Sequence, residues 1–175
     1  MKNKLILFII LFILFKSTSQ ALTESPFKNL VILNEPKQYK EINFQDYDGN
    51  FLSLSDFKSK VYILNFWAVW CTPCRKEMPS LDQLENIKDL KIFPLNIETR
   101  NKKKSKTFFK ELQISNLSIY FDVDSKLANL FKLRGVPTTI ILNEKRYEVA
   151  RILGEFDFSD EKFVNWIKKV NNYDN

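Results

Sequence analysis

Chemistry in this sequence starts from Cys71 and Cys74, the two cysteines of a 175-residue chain that contains no histidine. Two residues apart, they have the spacing of a dithiol that cycles between thiol and disulfide. Such a pair works by attack of a thiolate on a disulfide sulfur. One cysteine must therefore be exposed with a lowered pKa, and the other must reach it to resolve the mixed disulfide. The apolar run Val61–Trp67 precedes the pair and a helical pattern follows it. Cys71 thus falls where unpaired helix N–H groups and the positive dipole end favour an anion, which makes it the nucleophile. Cys74, one turn inside, is the resolving cysteine. Pro73 costs no hydrogen bond in a first helical turn and fixes the backbone between the sulfurs. Arg75 and Lys76 add nearby positive charge.

The missing histidine removes Ser-His-Asp and Cys-His catalysis, His-ligated metals and axial-His haem. Two cysteines supply half of a closed zinc site, so no metal is expected. A non-catalytic partner-binding module with a structural disulfide is an alternative, but so short a Cys-to-Cys loop gives little loop-closure stabilisation.

The positioning elements are legible from periodicity. Ile42, Phe44 and Phe51, Leu52, Leu54 flank Asp48-Gly49-Asn50 as a hairpin. The continuous apolar character of Val61–Trp67 suits a central, twice-covered strand. Met78, Leu81, Leu84, Ile87 and Leu90 recur at helical spacing, which predicts a helix from Pro73 to Asp89, bent near Pro79. Residues 91–97 then read as a strand, 103–112 as a helix and 118–121 as a short strand. Ser125 is expected to cap a short helix carrying Leu127, Leu130 and Phe131. Residues 138–142 and 148–153 form a hairpin, and a last helix starts at Ser159. This order gives an α/β fold with a parallel part and an antiparallel edge.

A second element, Arg134-Gly135-Val136-Pro137-Thr138-Thr139, precedes the apolar strand at 138–142. Together with Phe66-Trp67-Ala68-Val69-Trp70-Cys71-Thr72-Pro73-Cys74-Arg75-Lys76-Glu77-Met78-Pro79, it resembles the TlpA/ResA-type branch of the thioredoxin-like proteins, on its TlpA side. Asp48-Gly49, Leu54, Lys60-Val61 and Gly154 extend the likeness over residues 40–172. The resemblance implies a thioredoxin-like fold, a central mixed sheet flanked by helices, with an N-terminal β-hairpin and an extra strand/helix insertion after the active-site helix. It implies an exported thiol:disulfide oxidoreductase that acts as a reductant on protein disulfides in respiratory oxidase, copper-site or cytochrome c assembly. No cofactor beyond the redox-active Cys71–Cys74 disulfide is implied. Trp70, Val136 and Pro137 become substrate-binding residues, with Pro137 in cis and the Val136 backbone pairing with an extended segment, a mode that demands little of the partner's sequence. A membrane electron donor for re-reduction is implied as well.

The departures concern proton handling. The buried acid that thioredoxins place six residues before the first cysteine is Asn65 here, and their nearby lysine is replaced by Pro94. The acid that some ResA-type proteins carry between the cysteines is Thr72. Glu98, or water, is left as a base for Cys74. A peroxiredoxin, which shares the fold, would need Thr or Ser at Ala68 and Pro at Leu64.

The chain is long enough for one well-filled domain. Residues 1–21 carry Lys2 and Lys4, eleven apolar residues from Leu5 to Phe15, and a small-residue end, the three parts of a secretory signal. Eleven helical residues reach about 16 Å, half of the hydrocarbon thickness, so cleavage is favoured over an anchor through residues 5–15. An exported, periplasmic location follows. Residues 22–39 read as an extension and 40–175 as the domain. The formal charge of +6 includes three lysines in residues 1–21. The remaining balance is too even to suggest nucleic acid, and Lys102, Lys103, Lys104 and Lys106 form a local basic run, at most a weak docking patch.

Overall fold

The computed structural model describes residue 25, residues 27–98 and residues 102–171. The signal and anchor expectations for residues 1–21 lie outside the described residues.

Eight strands form one sheet in the order β1-β8-β7-β4-β5-β6-β2-β3. They are β1 (Leu30–Gln38), β2 (Asn43–Asp46), β3 (Phe51–Ser53), β4 (Val61–Trp67), β5 (Leu90–Asn96), β6 (Tyr120–Phe121), β7 (Thr138–Asn143) and β8 (Tyr147–Leu153). Among the described residues, four α-helices accompany them: α1 (Thr72–Leu84), α2 (Lys102–Glu111), α3 (Lys126–Leu130) and α4 (Glu161–Asn171). β4 pairs in parallel with β5 and antiparallel with β7. All seven residues of β4 are buried, as its unbroken apolar text demands.

Alternation along β4 builds the two layers. Ile63 and Trp67 face a core made with Met78 and Leu81 of α1 and with Phe163 and Ile167 of α4. Tyr62, Leu64 and Phe66 face another, with Phe44, Leu54 and Phe131. Asn65 has the parity of the first set, which turns its amide towards α1. The β2–β3 hairpin closes where the Asp46 carboxylate accepts the N–H groups of Gly49 and Asn50, and Gly49 takes a φ of +96° there.

Several expectations are corrected. Residues 22–39 are not simply an extension lying over the domain, because Leu30–Gln38 is an edge strand of the sheet, antiparallel to β8. Pro36 falls inside the register shift between Ile32 and Lys37, where no ladder donor is required. Helix α1 stops at Leu84 rather than Asp89. The chain tightens there, Ile87 N–H bonding back to Leu84, and Asp89 turns to φ +60° to deliver Leu90 into β5. Leu90 matched the helical period only because buried strand and helix positions coincided. Ser125 stands at the N-cap position of α3 with a left-handed φ of +54°, but its side chain makes no capping hydrogen bond. The buried Asp122 carboxylate instead accepts the Leu127 and Ala128 N–H groups. Similarly, Asp160 rather than Ser159 receives the first N–H groups of α4, from Lys162 and Phe163.

Candidate active site

The cysteines sit where the C-terminal end of β4 turns into α1. Cys71 is the N-cap residue of α1, with extended φ and ψ of −81° and 102°, and Pro73 lies in the first turn. The sulfurs are joined, with 2.06 Å between them. The Cys71 sulfur also accepts the Cys74 N–H at 3.1 Å, so an orphan donor of the helix terminus points at it. Access is asymmetric: Cys74 is 0% exposed and Cys71, expected to be open, keeps 3% in this disulfide form. Trp70 stands beside them 68% exposed, and Thr72 and Pro73 are exposed as well.

The loop ahead of β7 reaches the same end of the sheet, because β7 pairs antiparallel with β4 and Thr138 lies opposite Phe66. The Val136–Pro137 peptide is cis. Pro137 is buried and Val136 half-buried. The Thr138 hydroxyl donates to the Gly135 carbonyl at 2.8 Å and the Gly154 N–H to that of Pro137 at 3.0 Å, which ties the loop down.

Beneath the disulfide lies an acid that the sequence reading missed. Glu77, one turn after Cys74 on α1, is 2% exposed. Its Oε1 accepts from Asn65 Nδ2 at 2.8 Å and its Oε2 from the Phe156 N–H at 3.1 Å. Burial pushes its carboxyl up to about 8, against the opposing pull of these two donors, with the neighbouring Glu155 adding a smaller upward push. Asn65 Nδ2 also donates to Thr139 Oγ1 at 2.9 Å, while Asn65 Oδ1 is buried without a partner among the described residues. Pro94 is the register neighbour of Asn65 on β5. The signal for Glu77 was available: it shares a helical stripe with Cys74, Met78 and Leu81, and an acid in a stripe bound for the core is either paired or titrating near neutrality.

Glu98 takes a different place. Its carboxylate accepts the Val69 N–H at 2.5 Å, and its own N–H donates to Asn96 Oδ1 at 2.7 Å. It braces the loop that leads from β4 to Trp70. Arg75 and Lys76 are paired with Glu111 at 2.9 Å and Glu155 at 3.4 Å. Ala68 and Leu64, the positions at which a peroxiredoxin would need a hydroxyl and a proline ring, are both fully buried.

Comparison with known proteins gives a consistent picture. Residues 36–149 match the family model described as the AhpC/TSA family. The "Thioredoxin-like protein YneN" of Bacillus subtilis is 32% identical over 144 residues, covering 78% of this chain and 82% of that protein. "Thiol-disulfide oxidoreductase ResA" of the same organism is 27% identical over 173 residues, 96% of this chain and 97% of that protein. Among solved structures, a DsbF homologue from Corynebacterium diphtheriae superposes with a TM-score of 0.68 at 27% identity, covering 83% of this chain and 96% of that one.

Proposed function

Since the chain belongs to the AhpC/TSA family and is a thiol-disulfide oxidoreductase of the ResA type, we propose that it reduces disulfides of exported partner proteins through Cys71 and Cys74. The observation that carries this reading is the Cys71–Cys74 pair at the N-terminus of α1, with an exposed Trp70 at its side and the buried Glu77 carboxyl one turn below.

In the reduced protein, the Cys71 thiolate attacks one sulfur of the substrate disulfide and the other sulfur leaves as a thiolate. Cys74 then loses its proton and attacks the Cys71 sulfur. The second substrate thiolate departs, two electrons have passed to the substrate, and the enzyme holds the disulfide described above. Glu77 is the acceptor for the Cys74 proton, because a carboxylate whose proton affinity has been raised by burial matches a base working near neutral pH. The Cys74 N–H and the terminus of α1 steady the Cys71 thiolate. Val136, half-buried ahead of cis-Pro137, offers backbone to an extended substrate segment beside Trp70. The dithiol suffices, with no further cofactor.

Reduction is favoured over oxidation by the residues between the sulfurs, where Thr72-Pro73 supplies no cation to hold a thiolate. A thioredoxin-like potential of about −270 mV lies about 150 mV below a strong periplasmic oxidant, on the order of 7 kcal/mol for two electrons. A reductant in that compartment needs recharging, so a membrane dithiol donor is a partner. The signal pattern of residues 1–21 supports export, and the TlpA-like motif supports clients in respiratory oxidase, copper-site or cytochrome c assembly. No helix among the described residues is long and apolar enough to cross a membrane.

Trapping tests the proposal. Cys74→Ala is expected to accumulate a mixed disulfide on Cys71 with exported cysteine proteins, and Cys71→Ser to abolish insulin-disulfide reduction. Full activity in Cys71→Ser, or capture of no exported protein, overturns it.

A further inference from the structure

The lysine run at the start of α2 divides between two surfaces. Lys102 and Lys106 lie over the ring of Tyr47, 5.7 and 6.0 Å from its centre. Lys103 and Lys104 instead line a cleft of about 220 Å3 whose other walls include Val69, Arg75, Phe108 and Glu111. This cleft adjoins the reactive pair, since Val69 is two residues before Cys71 and Arg75 directly follows Cys74. Arg75 is held in place twice, by its 2.9 Å contact to Glu111 and by its guanidinium stacked 4.7 Å over the Phe108 ring. Phe108 rests in turn on Trp67 at 4.5 Å. Among the described residues, Lys103, Lys104 and the Glu111-paired Arg75 therefore rim a floor made by Val69 and Phe108. The volume is below the range of ordinary small-molecule pockets, about 300–1,000 Å3, so it suits side chains of a segment laid across it.

Strand order sets the position of this cleft relative to the other substrate contact. The Val136–Pro137 loop precedes β7 on one side of β4, and α2 follows β5 on the other. Cys71, after the end of β4, therefore lies between the Val136–Pro137 loop and the start of α2.

We propose that the Lys103–Lys104–Arg75 cleft selects protein substrates bearing an acidic stretch a few residues from the attacked disulfide. This rests on the reductase reading and names the substrate class for that site. Complementary charge outside the reacting centre acts chiefly on encounter and register, and is screened over about 10 Å at 0.1 M salt.

The test uses two peptides, each with one internal disulfide, identical except for an Asp-Glu or a Lys-Arg flank. With the reduced full chain at low salt, kcat/KM is expected to favour the acidic peptide on the order of tenfold, the preference falling with added salt. In a Lys103→Glu/Lys104→Glu variant the preference is expected to reverse. Bis(2-hydroxyethyl) disulfide, uncharged and too small to span to the cleft, is the control in each protein. Equal kcat/KM for the two peptides, or a preference that survives the double charge reversal, overturns the docking proposal while the control disulfide is still turned over. If the control disulfide is not reduced, the reductase reading has failed instead. The surface is then judged by titrating the fluorescence of the exposed Trp70 with disulfide-free acidic and basic peptides, where equal affinities overturn it.

Discussion

Asn65 on β4 donates through Nδ2 to Oε1 of Glu77 on α1 at 2.8 Å, in a core where the two residues are 0% and 2% exposed. The polar residue that replaces an acid on the strand has an acid facing it on the helix. That acid lies one turn from Cys74 along α1.

Glu77 couples stability to pH. Its carboxyl is raised from 4.5 to about 8 in the fold, chiefly by burial, so the fold favours the protonated form. Its stabilising contribution is complete below the unfolded value and is lost as pH rises through the folded one. Urea unfolding between about pH 5 and pH 8 is expected to show stability falling by on the order of a few kcal/mol. Glu77→Gln is expected to flatten this slope and to slow resolution of the mixed disulfide. A slope unchanged in Glu77→Gln assigns it to other groups.

Asn65→Leu removes a donor that stabilises the Glu77 carboxylate. A hydrogen bond to a charged group is worth roughly 1.5–3 kcal/mol, so the inflection at which the rate rises with pH as Glu77 deprotonates is expected to move up by about one pH unit or more. Rates over a pH series, beside the wild type, give the answer. A lower rate with the inflection in place would mean that Asn65 only packs.

A chain beginning at residue 40 lacks β1. It loses the buried Leu30 and Tyr39, and with them the Tyr39 hydroxyl bond to Glu148. At about 1.5–3 kcal/mol for each large side chain, a loss of several kcal/mol is expected. The bared edge of β8 should also promote self-association, read by thermal unfolding and by sedimentation. Unchanged stability and a monomeric state would return residues 30–39 to the status of a dispensable extension.

Asp82, buried on α1, accepts the N–H groups of Ser115, Asn116 and Leu117 at 3.3, 2.8 and 2.9 Å. Asp82→Ala leaves these donors without their acceptor and is expected to cost roughly 2–4 kcal/mol in denaturant unfolding. Activity per folded molecule is expected to persist, since Asp82 touches neither sulfur. A cost under about 0.5 kcal/mol would show that water replaces the carboxylate readily.

What the sequence determined by itself is local and periodic. The dithiol spacing, the apolar run of β4, the Asp48-Gly49-Asn50 hairpin and the stripe of α4 each depend on neighbours within a few residues, and periods of 2 and 3.6 report them directly. Tertiary structure decided the rest. The end of α1 depended on Asp89 turning left-handed, the cap of α3 on a carboxylate three residues before Ser125, and the place of β1 on the edge that β8 leaves open. The chemistry of Glu77 was decided in the same way. As text it is one acid in a basic stretch, Arg75-Lys76-Glu77, and only the packing of α1 on β4 buries it against Asn65 and raises its affinity for a proton. Burial and the field of distant residues are properties of the assembled layers, and no window along the chain contains them.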